Sequence, residues 1–449
     1  MKWILLLFWM GLCPVVAGYL KSRPDHLRWA GFVMGLIPFA TSTLHLYIAP
    51  IAWPMWAGWP KGIEVSALDF LAIAVIVATR KGSGGLKQIW PWSLYLAAVV
   101  LSLPHSQAVM AGSFYVWQIM RVMLVCVAAI RLATYAGTAE FLLKGIIVGL
   151  CFQVFLAVTQ VAGGQQQASG EFASQNLLGM MAHFALFPAF ALLLARKSVG
   201  WATCGFLAAA IVDLLTASRA TLGLAAIGLT LLSITSIMKS ATARKSAIVG
   251  AGALAMAIAS PFAFSAIKAR QGTNSVEGSN QQRAAMENAA LMIVKDYPFG
   301  TGPNQYVVVA NVGGYSARAG VAWSAGNRSS SVHNAYLLIW AETGLLGLLA
   351  MITIFAASTI PTYRAAFRYR RNPESEILLG CAVAMTMVAL HLLYEWVFIL
   401  FLLQYMLAMI TGIAIGITMR LNAGAALEKK KAKEQALAAR PTQELSPVR

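Results

Sequence analysis

Apolar runs of about 20 residues recur along almost the whole chain, separated by short polar connections. Backbone groups in lipid must find their hydrogen-bond partners within the segment, so runs of this length are expected to form helices. Ten-residue stretches of alternating hydrophobicity, the pattern of a membrane β-barrel, are absent. The candidate spans are residues 3–20, 29–48, 66–79, 90–104, 113–130, 139–160, 176–195, 200–216, 220–238, 246–264, 334–360, 377–393 and 397–419. These features predict an all-α polytopic membrane protein with roughly 12–14 transmembrane helices and one large loop.

The composition excludes an ordinary soluble domain. Hydrophobic residues make up 59% of the chain and charged residues only 11%, whereas soluble domains have about 25% charged residues. The first apolar run lacks a convincing cleavage site, so we interpret it as a helix rather than a signal peptide. All five cysteines lie in apolar runs without a CxxC pair, which predicts neither a disulfide nor a thiolate metal site.

The basic residues are distributed unevenly among the connections. Alternate connections contain about two thirds of the 34 Lys and Arg residues, which predicts that these connections face the cytoplasm. The net charge of +18 is therefore mainly a topology signal, and no motif for nucleic acid is present. We expect transmembrane helices 1–10 in residues 1–263, a periplasmic loop with short helices in 264–333, further transmembrane helices in 334–420 and a basic cytoplasmic tail in 421–449.

Three basic residues near the predicted outer face are candidates for catalysis, because charged groups near membrane depth are costly to retain. Arg219 lies at a break between two apolar runs, in "LLTASRATLGLAA", where a helix start would favour an anion. Arg283 lies in a predicted loop helix that Pro298 terminates soon after Asp296. Without other information, Arg283 would pair with Glu287 one turn later on the surface, and Arg219 could reach lipid headgroups.

His333 is the third candidate and lies at the start of the run "HNAYLLIWAETGLLG". It could simply cap the helix or contact headgroups. The partial positive charge at a helix start disfavours a protonated imidazole, and a neutral imidazole can accept a proton as a general base. The same helix end attracts phosphate. His333 could therefore serve as a base beside a bound diphosphate.

Further polar residues near these three are candidates for substrate binding, namely Asn334, Tyr336, Ser218, Gln175, Asn176, Arg318 and Arg328. Other polar residues in or near the spans are expected to make hydrogen bonds between helices, and a role in proton relay is the alternative: His183, Asp213, Glu342, His391 and Glu395. The long loop has few carboxylates, and a Mg²⁺ site on a diphosphate usually needs clustered ones. We expect no metal and no cofactor, with arginine gripping the phosphates instead.

Four segments together resemble the O-antigen ligase and polymerase superfamily. They are "FASQNLLGMMAHFALFP", "SRATLG", "RAAMENAALMIVKDYPFGTGPNQY" and "VHNAYLLIWAETGLLG". Their order matches the superfamily, and nearly all of the resemblance lies between residues 170 and 400. The resemblance implies a GT-C-type fold and a metal-independent inverting glycosyltransferase in the bacterial inner membrane, with its active site facing the periplasm.

The resemblance also implies the substrates and the roles of three residues. The donor would be a glycan on undecaprenyl diphosphate. Arg219 and Arg283 would bind the diphosphate, and His333 would activate the acceptor hydroxyl or assist the leaving group. The preferred acceptor is the lipid A core, as in O-antigen ligation for lipopolysaccharide biosynthesis. A polymerase, a protein-glycosylating relative and, from another class, a transporter of lipid-linked glycans remain alternatives. A transporter would show inverted repeats, which the sequence lacks.

Overall fold

A computed structural model describes residues 2–79, 84–271 and 276–438. Parts of three predicted segments therefore lie outside the described residues: the basic connection at 80–83, the long loop at 272–275 and the tail at 439–449. The N-terminal part contains helices and one two-stranded antiparallel hairpin. Its elements are α1 (Lys2–Ser22), α2 (Leu27–Leu36), β1 (Tyr47–Ala52), β2 (Gly62–Ser66), α3 (Ala67–Ala78), α4 (Trp90–Ser102) and α5 (Val109–Ala133).

The middle of the chain is helical, with long helices followed by the segment that contains the short ones. Its elements are α6 (Thr138–Ala162), α7 (Gln175–Ala195), α8 (Val199–Thr216), α9 (Arg219–Lys239), α10 (Ala243–Gln271), α11 (Val276–Asp296), α12 (Tyr306–Val312), α13 (Tyr315–Arg318) and α14 (Ala325–Arg328). Three long helices complete the fold: α15 (Ala335–Arg368), α16 (Glu374–His391) and α17 (Phe401–Ala438). Helix α11 ends two residues before Pro298, as the proline predicts.

The prediction of an all-α polytopic membrane protein is confirmed. Among the described residues, nine helices are long and apolar enough to cross a membrane. Each of the thirteen predicted spans overlaps a helix, but α2, α3 and α4 have only 10, 12 and 13 residues. At 1.5 Å per residue these three do not reach across a hydrocarbon core of about 30 Å. The count of 12–14 crossings therefore stays a prediction.

The largest departure from the prediction is the span at 29–48. Helix α2 ends at Leu36, a single 3₁₀ turn follows, and the chain then forms the hairpin of β1 and β2. Hydropathy alone does not detect this change, because the hairpin sequence "YIAPIA" is as apolar as the helix before it. In the turn after α2, the Thr41 hydroxyl donates to the Ile37 carbonyl at 2.7 Å, a local bond that competes with helix continuation.

Three predicted boundaries also move. Helix α10 continues to Gln271, beyond the expected loop start at 264. Helix α15 continues to Arg368, and it contains a break at Gly344, where φ is 67° and ψ is −173°. Helix α17 extends into the expected tail as far as Ala438, and its residues 422–435 are exposed. Lys- and Glu-rich sequence such as "EKKKAKEQ" favours a solvated helix as much as a loose tail.

The connections separate into two faces of the bundle. On the face that we call the loop face, the connections at 40–66, 163–174, 217–218, 297–334 and 392–400 contact one another. On the opposite face, which we call the basic face, Arg131 donates to the Ile76 carbonyl, and Lys239 and Lys245 both pair with Glu376 at 2.7 Å. This sorting agrees with the alternation of charge along the sequence. Which face is cytoplasmic stays a prediction.

The core of the bundle is α7. Of its most apolar 18-residue window, 94% is buried, and it packs against α8, α9, α16 and α17. Helix α7 is hydrophobic on all sides, as expected of a helix enclosed by other helices. Its first turn emerges on the loop face, where it meets the ends of α9 and α16.

A clamp joins the long loop to α15. The loop passes so close to the break in α15 that a Cβ on Gly300 would lie 2.3 Å from the Glu342 carbonyl oxygen. The buried Glu342 carboxylate accepts the backbone N–H groups of Asn304 and Tyr306, each at 2.9 Å. Gly344 has positive φ, which only glycine adopts without strain. The motif "PFGTGPNQY" is thus a docking segment that fixes the loop to the helix that His333 precedes.

Candidate active site

A buried carboxylate, Glu395, connects three distant segments on the loop face. Its Oε1 accepts hydrogen bonds from Arg283 Nη2 at 3.1 Å and from the side-chain amide of Asn176. Its Oε2 lies 3.3 Å from His333 Nδ1. The side chain of Glu395 is only 3% exposed. We call these four residues the Glu395 cluster.

Each partner of Glu395 is fixed by local structure. Asn176 lies in the first turn of α7, which Ser174 caps by accepting the Leu177 N–H at 3.2 Å. Arg283 donates a second hydrogen bond, from Nη1 to the Tyr394 carbonyl. The start of α15 is bound to the segment that contains Glu395, because the Ala335 N–H donates to the Glu395 backbone carbonyl at 3.0 Å. The partners of Glu395 therefore lie on or directly beside α7, α11 and α15, and helices position side chains more accurately than free loops.

The chemistry of the cluster follows from which atoms face the carboxylate. When Nδ1–H donates to Glu395, a neutral imidazole has its lone pair on Nε2, so His333 can accept a proton there. The side chain of His333 is 25% exposed and that of Arg283 is 35% exposed, whereas the carboxylate is buried. The imidazole and the guanidinium are thus open to a ligand, while the carboxylate that contacts both is not. Side chains in this arrangement can act as a base, an anion-binding group and a carboxylate that orients them.

Arg219 lies on a neighbouring helix start rather than in the cluster. It is the first residue of α9, and the hydroxyl of Ser218 caps this helix by accepting the Thr221 N–H at 3.3 Å. The start of α9 packs on α7, where a Cβ on Gly179 would lie 2.5 Å from Thr221. Gly179 is about one helical turn from Asn176. The Arg219 side chain is exposed and has no partner among the residues that the structure describes.

The structure gives two of the predicted binding residues a role in helix geometry. Asn334 is the N-cap of α15, and its Oδ1 accepts from Tyr336 N and Leu337 N at 3.1 and 3.2 Å. Helix α15 therefore begins at Ala335, so His333 lies two residues before the helix rather than at its start as predicted. The Tyr336 hydroxyl donates to the Ala389 carbonyl at 2.9 Å, joining α15 to α16. Both contacts fix the start of α15 beside His333, and substrate binding by these two residues stays a prediction.

Of the other residues predicted to bind substrate, one lies next to the Glu395 cluster in the chain and two have no described contact with it. Gln175 precedes Asn176 at the start of α7 and is half-buried. Arg318 lies with its guanidinium over the Tyr315 ring, 4.4 Å from the centroid. Arg328 lies over Trp323 at 4.2 Å and donates to the Val321 carbonyl at 2.6 Å. These two arginines stabilise the loop locally, and none of their described contacts reaches the Glu395 cluster.

Three further polar residues, His183, Asp213 and His391, meet inside the bundle. His183 Nε2 lies 3.7 Å from Asp213 Oδ2, and its ring centroid is 6.0 Å from that of His391. All three are buried, and their side-chain nitrogen and oxygen atoms have no hydrogen-bond partner among the described residues. The expected helix-packing hydrogen bonds of these side chains stay a prediction. The three residues bring α7, α8 and α16 into contact.

Glu395 is the functional candidate that the sequence did not single out. A lone carboxylate between two apolar runs in "LLYEWVFIL" is a signal in principle, since an ionisable residue at that depth is a functional candidate by default. Its three partners, however, are 62, 112 and 219 residues away in the chain. Only the folded arrangement brings them to one side chain.

The family model described as O-antigen ligase (Wzy_C) matches residues 183–352. This match, over 170 of the 449 residues, supports the resemblance of the chain to the O-antigen ligase and polymerase superfamily. The matched segment includes Arg219, Arg283 and His333, while Asn176 and Glu395 lie outside it. The family is one of glycosyltransferase-like ligases and polymerases. A search for similar curated proteins gives no match.

Proposed function

We propose that the protein is an inverting, metal-independent glycosyltransferase that moves a glycan from undecaprenyl diphosphate to an acceptor hydroxyl at the periplasmic face of the bacterial inner membrane. The preferred acceptor is the lipid A core, which makes the reaction O-antigen ligation. The single observation that supports this most is the Glu395 cluster, because it combines a proton acceptor with a cation on the open face of a membrane bundle.

In the proposed reaction, His333 Nε2 takes the proton of the acceptor hydroxyl. The acceptor oxygen forms a new bond to the anomeric carbon from the side opposite the diphosphate. The bond from that carbon to the diphosphate oxygen breaks, and the diphosphate leaves with the electron pair. One displacement of this kind inverts the anomeric centre. Glu395 stabilises the imidazolium that forms, as the carboxylate of a catalytic triad does.

Arginines would oppose the charge that develops on the leaving diphosphate. Arg283 uses Nη1 and Nη2 for the Tyr394 carbonyl and Glu395, so it offers a fixed guanidinium edge to a ligand. Arg219 is exposed at the start of a 21-residue helix, where the helix dipole adds to its attraction for phosphate. Groups placed in advance against developing charge often give the largest share of catalysis, and general-base catalysis adds about 10²–10⁴-fold.

Purified protein, a lipid-linked glycan donor and a chelator provide the test, with either lipid A core or a second donor molecule as acceptor. Product on the core supports ligase activity, and a lengthened donor supports a polymerase. Inhibition by the chelator that Mg²⁺ reverses would contradict the metal-independent mechanism. Donor that crosses the membrane without transfer to either acceptor would favour a transporter.

The residue-level test compares His333→Ala with His105→Ala. His105 is an exposed histidine of the same face that stacks on Phe299 and lies outside the Glu395 cluster. We expect His333→Ala to lower kcat about 10²–10⁴-fold. The kcat of His105→Ala should stay close to that of the unchanged protein. Equal activity of all three proteins would refute the role of His333.

A further inference from the structure

A cavity of 330 Å³ lies on the loop face between the β1–β2 hairpin, the connection from α6 to α7 and the start of α17. Its volume is at the lower end of the range for ligand-binding pockets. Exposed residues at its rim, such as Ser42 and Tyr47, open it to the outside of the bundle. We call it the hairpin cavity.

The lining combines aromatic rings with uncharged and acidic polar groups. The rings of Tyr47 and Phe401 lie 5.9 Å apart, and Trp59 adds an indole. Glu64 and Glu171 supply carboxylates to the same lining. A sugar ring presents C–H groups on its faces and hydroxyls around its edge, so it fits aromatic surfaces bordered by hydrogen-bond acceptors.

The charge of the lining makes the cavity unsuitable for the diphosphate of the proposed donor. Among the described residues that line the cavity there is no Lys, Arg or His. A diphosphate would need cationic partners, and two carboxylates would repel it. The chemistry therefore suits a neutral sugar rather than a phosphorylated or acidic one.

The polar groups of the cavity are fixed in place before any ligand arrives. The amide of Gln118 donates to the Ile399 carbonyl and to Gln404, each at 2.8 Å. Glu171 accepts the backbone N–H groups of Ser42 and Thr43 at 3.2 and 3.1 Å. Behind the wall, the buried Arg121 lies 3.7 Å from Glu64. Such preorganised groups avoid an entropic cost on binding.

The cavity lies next to the Glu395 cluster at two places. Trp59 stacks on Trp396, the residue after Glu395, with ring centroids 4.4 Å apart. Leu177, the residue after Asn176, also lines the cavity. The lining therefore directly follows a cluster residue on α7, and it contacts the residue next to Glu395 through Trp59. A ring held in the cavity would lie beside the groups proposed to perform the transfer.

We propose that the hairpin cavity binds a neutral sugar ring of one of the two glycans that meet at the Glu395 cluster. The inference rests on the proposed transferase function, and it assigns a binding site to residues outside the segment that matches the family model. The ring could belong to the donor or to the acceptor, and the kinetics of two cavity variants distinguish them.

The first variant, Tyr47→Ala, removes a ring from the cavity. The second, Ala173→Trp, fills the cavity from an exposed position in its lining, so it needs no loss of packing. Tyr297→Ala is the matched control, because Tyr297 is 39% exposed on the same face and lies outside the cavity lining. Each purified variant is assayed for transfer with the donor and the acceptor varied separately.

We expect both cavity variants to raise one KM at least about tenfold, which corresponds to about 1.4 kcal/mol, while kcat and the control change little. A raised KM for the acceptor assigns the ring to the acceptor, and a raised KM for the donor assigns it to the donor. If neither KM changes in either variant, the cavity proposal is overturned, even when His333→Ala abolishes transfer.

A binding measurement keeps the inference testable if the transferase proposal fails. The probes are two free oligosaccharides, one released from the donor lipid by mild acid and one prepared from the lipid A core. Saturation-transfer NMR with His333→Ala protein should detect binding of one of them, and Ala173→Trp in that background should remove the signal. Binding that persists unchanged with the cavity filled would contradict the proposal, whatever the transfer assay gives.

Discussion

Replacing Glu395 by glutamine tests the cluster most sharply, because the two carboxylate oxygens have different partners. Arg283 and Asn176 both donate to Oε1, whereas His333 faces Oε2. In Glu395→Gln the amide oxygen must stay with the two donors. The amide NH₂ then points at His333 Nδ1, which has to accept a hydrogen bond instead of donating one.

This exchange changes the tautomer of His333. A neutral imidazole that accepts at Nδ1 has its proton on Nε2, so it cannot take a proton from the acceptor hydroxyl. The expected loss is the whole contribution of the base, about 10²–10⁴-fold in kcat. The hydrogen bonds from Arg283 and Asn176 remain, so the fold and the KM for the donor should change little.

The assay is steady-state transfer with purified Glu395→Gln, His333→Ala and the double variant, each checked for unchanged thermal unfolding. If the two residues act as a unit, the double variant is no slower than His333→Ala, since residues of one catalytic unit are strongly non-additive. A kcat for Glu395→Gln within about threefold of the original protein would refute the tautomer argument. Multiplying losses in the double variant would show that the two residues act separately.

Three further predictions concern Arg219, Gly344 and Glu342. Arg219→Ala should raise the KM for the donor or lower kcat/KM by about 10²-fold, with Arg219→Lys intermediate because lysine cannot form the bidentate fork; donor titration in the transfer assay measures both. Gly344→Ala should lower the free energy of unfolding by about 1–3 kcal/mol, because a Cβ would lie 2.8 Å from the Phe299 backbone at positive φ. Gly223→Ala, a helix position with open space, should leave the thermal midpoint unchanged or raised. Glu342→Gln should cost about 1.5–3 kcal/mol, because an amide cannot accept both backbone N–H groups, and thermal unfolding in detergent measures this loss.

The sequence predicts the helical architecture well and the hairpin not at all. Long apolar runs have few structural solutions in lipid, so the positions of helices such as α5 and α7 follow from hydropathy. The segment at 29–48 is also apolar, and nothing in its periodicity distinguishes a short helix followed by a strand from one long helix. The strands of the hairpin pair between residues 47–52 and 62–66. Such pairing between separate segments leaves no mark in the periodicity of either one.

The sequence likewise identifies some residues of the candidate site and misses another. Arg283 and His333 could be singled out because a charged or titratable group beside an apolar run is unusual on its own. Glu395 has the same local appearance as other lone carboxylates, including Glu342. Its importance depends on partners up to 219 residues away. A single sequence contains no record of such contacts, so the orienting role of Glu395 required the structure.

The two buried carboxylates of the loop face illustrate why their partners decide their roles. Glu342 accepts hydrogen bonds from backbone amides, which cannot leave without unfolding the loop, so its function is to hold the clamp. Glu395 instead contacts the side chains of Asn176, Arg283 and His333, and two of these, Arg283 and His333, are partly exposed to a ligand. The clamp fixes the long loop to α15 a few turns from His333, and the cluster then joins His333 to Arg283 from the same loop. Glu342 therefore holds in place the loop from which Arg283 reaches Glu395. This is the relation expected between a scaffold and the reactive groups that it positions.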